Sequence, residues 1–440
     1  MARWLMPPVM VLTLVVAAPT HAAKIKVTDT ADDFFAAPGG TCSLREAVQA
    51  ANSDADFGGC PKGNGADTIM LKSGETYDLS IAGADDANAV GDLDVNSGIT
   101  IAPTRRERAT IDANDVSRVL HIVDPGALEL SRLVITGGMS GFADGSEGGA
   151  IRNYDGELTV TGSRISGNDA TGAGPANGGA IVTGFGTDSL TRITKTSITG
   201  NSAGNVGGGI LWGGGVMKIS KSTVAGNHAG HDGGGIYLGG YVNPDTDRFR
   251  MSASTVSGNG ADDAGGGLEV GLYEPNAPQL ARATNVTISG NRTNGSGGGI
   301  HHQAGELHLN ASTITDNTAD FDASGDGVGG GVAGFGVILR NSIVAGNLNP
   351  NPTTPQPDCS SAFSISHNLV GKGGGCSESG SNIAVSDPRL KRIAKNGGPT
   401  KTHALKVGSK AIGHAGKGAP KHDQRGIKRD SHPDIGAFER

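Results

Sequence analysis

Apolar residues recur at one fixed position along this chain, each directly after a short run of glycine or alanine. These runs alternate with a second phrase, Ser-x-(Ile/Val)-x-Gly-Asn, which returns with small variations. In four consecutive repeats the step from asparagine to the apolar residue is the same, and successive asparagines are 26 to 33 residues apart. A constant short step inside a variable period predicts one structural unit stacked many times. The apolar positions are Ile151, Ile181, Ile210, Ile236, Leu268, Ile300 and Val332, and the asparagines are Asn168, Asn201, Asn227, Asn259, Asn291, Asn317 and Asn347.

The repeated unit reads as β-structure. Short runs such as 216–220 alternate polar with apolar or β-branched residues, and glycine clusters separate them. About three short strands fit in each period, which predicts an all-β right-handed parallel β-helix with a coil rise of about 4.8 Å. We expect roughly eight coils over residues 110–350, a single interior column of the apolar positions, and asparagine ladders along the turns.

Composition supports an elongated domain. Glycine accounts for 74 of 440 residues and aromatic residues for only 4%, which suits a narrow solenoid better than a compact globule. High glycine content is also typical of disordered chains, but the regular apolar positions favour the folded interpretation.

The first 22 residues predict a secretory signal peptide. Arg3 gives the positive start, residues 9–18 are apolar, and cleavage is expected after Ala22. The apolar run is too short to span a membrane, and no second one follows.

The four cysteines are consistent with export. Cys42 and Cys60 are 18 residues apart, and Cys359 and Cys376 are 17 residues apart. Two local disulfides are the simplest of three connectivities, and the C-x-x-C spacing of zinc sites is absent.

Two terminal segments carry motifs similar to known families. Residues 41–52, Thr-Cys-Ser-Leu-Arg-Glu-Ala-Val-Gln-Ala-Ala-Asn, resemble the signature of the CSLREA domain of bacterial exported proteins. Ser43 and Glu46 predict a capping box for a short helix, whose apolar stripe suits the open end of a β-helix. Residues 396–400, 423–426 and 434–439 resemble the choice-of-anchor Q domain, which implies surface sorting. No sorting motif follows Glu439, which favours free secretion over attachment to the cell surface.

The repeats between these segments resemble the pectin-lyase-like superfamily and polymorphic outer-membrane protein repeats. That resemblance implies architecture and leaves activity open, because the fold carries lyases, hydrolases and adhesins alike. The predicted organisation is a signal peptide (1–22), an N-terminal cap with first strands (23–109), β-helix repeats (110–350), a disulfide-bearing last coil (351–388) and a C-terminal module (389–440).

Candidate binding and catalytic residues follow from the register. If the apolar column points inward, the next residue of each repeat points outward, and Tyr237, Glu269 and His301 form a modest sugar-binding strip. An ordinary solvated face is the alternative. Carboxylates before the glycine runs suit general acid/base work, calcium binding or simple turns. The outward row is Arg152, Val182, Leu211, Tyr237, Glu269, His301 and Ala333, and the candidate catalytic residues are His231, Asp232, Asp262 and Asp263, with Asp326 placed similarly.

A calcium loop is the only cofactor site that the sequence offers. Asp320, Asp322, Ser324 and Asp326 supply oxygen ligands at positions 1, 3, 5 and 7, with Gly325 at position 6. Position 12 is Gly331 instead of glutamate, so a long acidic turn is the alternative. His302 follows His301 on the predicted strand and is therefore expected inside.

Charge is distributed unevenly along the chain. The formal net charge is −7, yet residues 389–432 contain twelve lysines and arginines against two aspartates. We expect this basic segment either to dock onto an anionic surface polymer or to neutralise the acidic rod. Aromatic residues do not alternate with the basic residues of this segment, which argues against nucleic-acid binding.

The sequence thus predicts a monomeric exported protein, non-catalytic and adhesin-like, that binds a polysaccharide or cell-surface polymer. The alternative is a polysaccharide lyase or glycoside hydrolase.

Overall fold

The chain folds into a right-handed parallel β-helix. The structure is a computed structural model, and it describes residues 22–35, 40–141, 145–172, 174–185, 189–240, 243, 246–272, 281–350, 356–360 and 364–440. The predicted signal peptide therefore lies outside the described residues except for Ala22. Each coil contributes one strand to each of three faces, which we call faces 1, 2 and 3, and six coils add a two-residue corner strand.

The strands of each face pair in parallel with the same face of the next coil. Face 1 contains Leu93–Val95, Leu120–Ile122, Ile151–Asn153, Ile181–Thr183, Ile210–Trp212, Ile236–Gly240, Leu268–Leu272, Ile300–Ala304, Val332–Gly334 and Cys359–Ser360. Face 2 contains Lys24–Lys26, Asp67–Leu71, Gly98–Pro103, Ala127–Ser131, Glu157–Thr161, Leu190–Thr194, Val216–Ser220, Leu307–Asn310, Val337–Arg340 and Ser364–Ser366. Face 3 contains Thr76–Asp78, Ala109–Asp112, Leu133–Thr136, Arg164–Ser166, Ser197–Thr199, Thr223–Ala225, Thr313–Thr315, Ile343–Val344, Leu369–Gly371 and Ile383–Val385.

Two long strands bend from face 2 into face 3, and at the bend their register omits Ala253 and Asn285, which both have a left-handed backbone. The two strands are Arg248–Ser257 and Ala281–Ser289. The corner strands, between face 3 and face 1, are Met139–Ser140, Asp169–Ala170, Ser202–Ala203, His228–Ala229, Gly260–Ala261 and Arg292–Thr293.

The predicted interior column is confirmed. Ile210, Ile236, Leu268 and Ile300 are successive register partners on face 1, and each is at most 5% exposed. Their alternation with outward residues places aliphatic side chains in the lumen of every coil. One continuous apolar core therefore runs along the rod, with few aromatic rings in it.

The predicted asparagine ladder is present as well. From Asn168 to Asn317, each side-chain Nδ2 donates to the Oδ1 of the next ladder asparagine at 2.8–3.0 Å. The glycine run beside the ladder leaves room for it, since a Cβ on Gly235 would lie 2.9 Å from Asn259 Nδ2 and 2.5 Å from the Gly267 carbonyl oxygen. The ladder ends at Asp358, whose Oδ1 accepts from Asn347 Nδ2 at 2.8 Å.

A short helix covers the N-terminal end of the rod. Helix α1, Leu44–Ser53, begins with the predicted capping box, in which Ser43 Oγ accepts from Glu46 N and Glu46 Oε2 accepts from Ser43 N. Its apolar stripe is buried against the first strands, which occludes their otherwise open interior. Arg45 is buried and pairs with Asp32 at 2.7 Å. The stripe consists of Leu44, Ala47, Val48 and Ala51.

Both predicted disulfides are present. Cys42 pairs with Cys60 beside helix α1, and Cys359 pairs with Cys376 at the last coil. Disulfides of this kind persist in oxidising compartments. No helix among the described residues is long and apolar enough to cross a bilayer.

Residues 389–440, which we call the C-terminal segment, contain the basic stretch of the chain. They lie along face 3 instead of extending the rod. Gln424 donates to Thr255 Oγ1 at 3.0 Å and accepts from Thr287 Oγ1 at 2.7 Å. Farther along the rod, Ala437 N donates to Thr313 Oγ1 at 3.0 Å. A small second core forms beneath the segment; its buried residues are Ile343, Ala345, Leu369, Ala404, Leu405, Ala411, Ile435 and Phe438.

Most cations of the C-terminal segment are exposed, and Arg429 is the buried exception, donating from Nη2 to Asn285 Oδ1 of the rod at 3.2 Å. Arg425 and Arg429 pair with Asp423 and Glu439 inside the segment. The remaining arginines and lysines of 389–432 are exposed, and none makes an ion pair with a carboxylate of the described chain. This arrangement gives no support to neutralisation of the rod by direct ion pairing.

Candidate functional site

The predicted outward row lies on face 1 in continuous register. From Arg152 to Ala333, each residue pairs with the equivalent residue of the next coil. Val182, Leu211 and Ala333 are buried although they belong to this row. The polar residues of this row and of its continuation toward the cap fall in two stretches: Asp94, His121 and Arg152 near the N-terminal end, and Tyr237, Glu269 and His301 farther along. Within these stretches the carboxylates Asp94 and Glu269 are themselves buried.

The second stretch contains a buried carboxylate–imidazole pair. Glu269 and His301 are direct register partners, and the glutamate oxygens lie 2.9 and 3.0 Å from His301 Nδ1. The Glu269 side chain is 1% exposed, whereas the His301 side chain is 19% exposed. A carboxylate at Nδ1 holds the proton there, so the ring's other nitrogen, Nε2, is left as an acceptor.

Burial penalises the charged form of both members of this pair, but the net pKa shift of each is upward. Burial raises the pKa of Glu269 to about 7, even though the hydrogen bond from His301 acts in the other direction. Burial alone would lower the pKa of His301, but the hydrogen bond and negative charge of Glu269 raise it above the ordinary value. A group that titrates near the working pH is suited to proton transfer.

Asp232 adds a second carboxyl group to this part of face 1. It lies in the turn that leads into the strand of Tyr237, and its charge acts on both Glu269 and His301. Partial burial, together with the nearby charge of Asp263, raises the pKa of Asp232. Of the four candidate catalytic residues that the sequence indicates, Asp232 alone is partly buried beside the pair.

The other three candidates form exposed pairs at the corner of the rod. His231 Nδ1 lies 2.6 Å from Asp263 Oδ2, and His228 Nε2 lies 3.2 Å from Asp262 Oδ1. The side chains of all four residues are more than half exposed. Water screens such pairs, so the attraction within each contributes little.

The packing of two polar side chains over a glycine beside the pair was not predicted from the sequence. Tyr237 and Gln303 approach Gly271, where a Cβ would lie 3.2 Å from the tyrosine hydroxyl and 3.5 Å from Gln303 Oε1. Gln303 is the extra residue of a bulge, because Val270 pairs with His302 but Gly271 pairs with Ala304. Bulges of this kind redirect side chains next to binding sites. The sequence signal for it was the single glycine inside the strand.

The first stretch forms a cleft of about 330 Å³ near the cap. His121 Nδ1 lies 3.2 Å from Asp94 Oδ1 and 3.3 Å from Asp86 Oδ1. Burial and the charge of Arg118 lower the pKa of His121 to about 4, and burial raises the pKa of Asp94 to about 7. One ring nitrogen and two carboxylate oxygens are a ligand set that transition metals accept.

The candidate calcium loop is organised by its own hydrogen bonds. Asp320 is fully buried, and its Oδ1 accepts from Ser324 Oγ at 3.2 Å and from Gly325 N at 2.9 Å. Asp322 Oδ1 accepts from Ser324 N at 3.2 Å. These contacts describe a closed polar turn, and calcium binding by Asp320, Asp322, Ser324 and Asp326 remains a prediction. His302 is buried as expected.

Comparison with known proteins establishes the fold. No protein family model matches the chain, so the likeness of the terminal segments to the CSLREA and choice-of-anchor Q domains remains a prediction. No curated protein matches it either. A crystal structure of pectate lyase Pel9A is similar, with a TM-score of 0.54 and 16% sequence identity over 96% of this chain and 98% of that chain. The chain thus has the pectate-lyase-like right-handed parallel β-helix fold.

Proposed function

We propose that this chain is an exported glycoside hydrolase that cleaves a polysaccharide at face 1. The observation that carries the proposal is the buried Glu269 bonded to His301 in the accessible part of the outward row. A surface that only binds sugars has no need for a buried carboxylate beside an imidazole, since burying an ionisable group is costly. The proposal that the protein is exported rests on the two disulfides and on the predicted signal peptide.

His301 acts as the general base in this proposal. Its Nε2 takes a proton from a water molecule, whose oxygen attacks the anomeric carbon of the bound sugar. The bond from that carbon to the glycosidic oxygen breaks, and the leaving oxygen takes the proton of a neutral Asp232 carboxyl group. Glu269 is a positioning residue that fixes the imidazole and stabilises its protonated form. Tyr237 and Gln303, which pack over Gly271, supply polar groups that contact the sugar in this proposal.

The charge of the site favours hydrolysis over β-elimination. Glycoside hydrolysis passes through a positively charged oxocarbenium-like transition state, which the Glu269 carboxylate would stabilise. Elimination from a uronate instead develops negative charge beside the sugar carboxylate, which needs a cation close by. The charged neighbours that act on Glu269 and His301 are each other and Asp232. The similarity to pectate lyase Pel9A supports a polysaccharide as substrate through the fold they share.

Release of reducing ends tests this function. Purified protein is incubated with polygalacturonate, alginate and neutral galactan, and reducing ends and unsaturated products are followed separately. We expect His301→Ala and Asp232→Asn each to lower the rate by about 10²–10⁴-fold, since each removes one proton-transfer group. His228→Ala is the matched control, because that histidine also pairs with a carboxylate but is exposed.

Three outcomes would contradict the proposal. Unsaturated products would identify a lyase, and binding without any cleavage would identify a non-catalytic surface protein. Equal losses in His301→Ala and His228→Ala would mean that the pair is structural. Glu269→Gln adds an independent readout, because loss of the carboxylate should shift the acidic limb of the pH–rate profile as well as lower the rate.

A further inference from the structure

Face 2 carries a column of cationic side chains in direct register. Arg192 pairs with Lys218, Lys218 with Arg250, Arg250 with Arg282, and Arg282 with His308. All five point outward, because their strand neighbours on either side are buried. Adjacent coils are about 4.8 Å apart, so like charges on successive coils repel one another.

Nothing among the described carboxylates relieves this repulsion for three of the five residues. Arg192, Lys218 and Arg282 make no ion pair within the described part of the chain, and Arg282 Nε is buried without a hydrogen-bond partner there. Burial, followed by the charges of Arg282 and Arg248, lowers the pKa of Arg250. At the end of the column, His308 does pair with Glu306 at 3.0 Å.

A polar column runs beside the cations, and we call the surface formed by the two columns the groove of face 2. Its hydroxyl and amide groups are register partners on successive coils, and Arg340 ends it. Where the two columns meet His308, they enclose a cleft of about 290 Å³. The members of the polar column are Thr161, Thr194, Ser220, Ser252, Thr284 and Asn310.

We infer that face 2 is a binding site for a linear anionic polysaccharide, whose carboxylate or sulfate groups are held by the Arg192–Arg282 column. Guanidinium groups bind such anions with two parallel hydrogen bonds, and hydroxyl and amide groups suit the sugar oxygens beside them. The repeat of one cation per coil matches a ligand that carries charge at regular intervals. Nucleic acid is disfavoured because the described part of the groove presents no aromatic platform for bases.

This site is separate from the proposed hydrolase site on face 1. It is tested by binding alone, so either proposal can fail without the other. The cations also share a sequence signature, since each lies nine residues before a ladder asparagine. Thr159 and Ile338 occupy the equivalent places in the flanking coils, which bounds the column at both ends.

The test measures binding of polygalacturonate to the full chain by calorimetry, with neutral dextran as the uncharged comparison. We expect the double variant Arg250→Gln/Arg282→Gln to bind at least about tenfold more weakly, because two charge-assisted contacts are lost. Arg105→Gln/Arg106→Gln is the matched control, since it removes the same charge from exposed positions at the N-terminal end. Binding by the natural chain should also weaken with added salt.

A folding defect in the double variant would not leave the question open. Arg192→Gln/Lys218→Gln alters two exposed residues of the same column, and its melting temperature should equal that of the natural chain. Equal polygalacturonate affinity in the column variants and the control would overturn the inference. Dextran binding of similar strength, or displacement of polygalacturonate by a single-stranded oligonucleotide at lower concentration, would also overturn it.

Discussion

Two buried carboxyl groups in this rod have raised pKa values for the same reason but meet different partners. Burial is the main cause at Glu269 and at Asp358. Glu269 faces an imidazole that can share its proton, whereas among the described residues the side chain of Asp358 accepts from the backbone and side chain of Asn347 alone. The first arrangement suits proton transfer, and the second leaves a charge at the end of a ladder of neutral amides.

Replacing Asp358 by asparagine should stabilise the protein at neutral pH. The pKa of Asp358 is raised to about 6 in the folded chain from an ordinary value of 3.8, so folding favours the protonated form. Stability is therefore lost as pH rises from about 4 to 6, and an asparagine avoids that loss. We expect a gain of about 1–2 kcal/mol at pH 8.

Urea unfolding across pH 4–8 measures this effect. The advantage of Asp358→Asn should grow with pH and vanish near pH 4. Asp155→Asn, at an exposed turn residue, is the control and should follow the natural chain throughout. A variant that is less stable at pH 8 would show that the carboxylate contributes contacts an amide cannot make.

Tyr237, Glu269 and His301 can be placed side by side from the sequence, because strand alternation and repeat spacing determine which residues are neighbours. The burial of Glu269 and the bulge at Gln303 cannot be predicted in this way. Those features depend on how one coil shifts against the next, and a pattern that repeats along the chain contains no information about a local exception.

The ladder shows how a turn element stabilises the whole stack. Asn259 accepts from Asn227 N and Nδ2 and donates to Asn291 Oδ1 and the Val224 carbonyl, all within a fully buried turn. This element is readily predicted from the sequence, since the asparagine repeats in every coil. The cation column is harder to predict. Its positions are occupied by arginine, lysine or histidine, which share a positive charge but do not form a repeat of one residue type.

Removing one rung should therefore be costly. Asn259→Ala leaves buried donors and an acceptor without partners, and we expect a loss of about 2–4 kcal/mol in unfolding free energy. Asn205→Ala is the matched control, because within the described part of the chain the side chain of that half-buried asparagine makes a single hydrogen bond, to Asn177. Denaturant unfolding compares the two, and similar losses would mean that the ladder contributes no more than an ordinary surface bond.

The second half of the rod is fastened by the C-terminal segment. Gln424 is 1% exposed and bonds to Thr255, Thr287, Thr400 and the Lys401 carbonyl, so one amide joins two coils to two parts of the segment. The order of motifs along the chain predicts a module beyond the last coil. Its return along face 3 depends on contacts across more than 100 residues, which no local pattern encodes.

Loss of the Gln424 amide should loosen the segment before it affects the rod. We expect Gln424→Ala to cost about 2–3 kcal/mol and to make residues 389–440 more sensitive to limited proteolysis, since four hydrogen bonds are lost together. Lys421→Ala, at an exposed neighbour, should leave both measurements unchanged. Cleavage that begins in the β-helix repeats would contradict this view.

The return of the C-terminal segment also affects the order in which the molecule is made. A solenoid can grow coil by coil, since each coil contacts only its neighbours. Here Thr255 finds its partner in Gln424, 169 positions later, so the second half of the rod stays incompletely bonded until the segment has been synthesised. Chains interrupted before that point would expose the polar face and apolar residues that the segment covers, which gives a quality-control protease a direct way to distinguish unfinished from finished molecules.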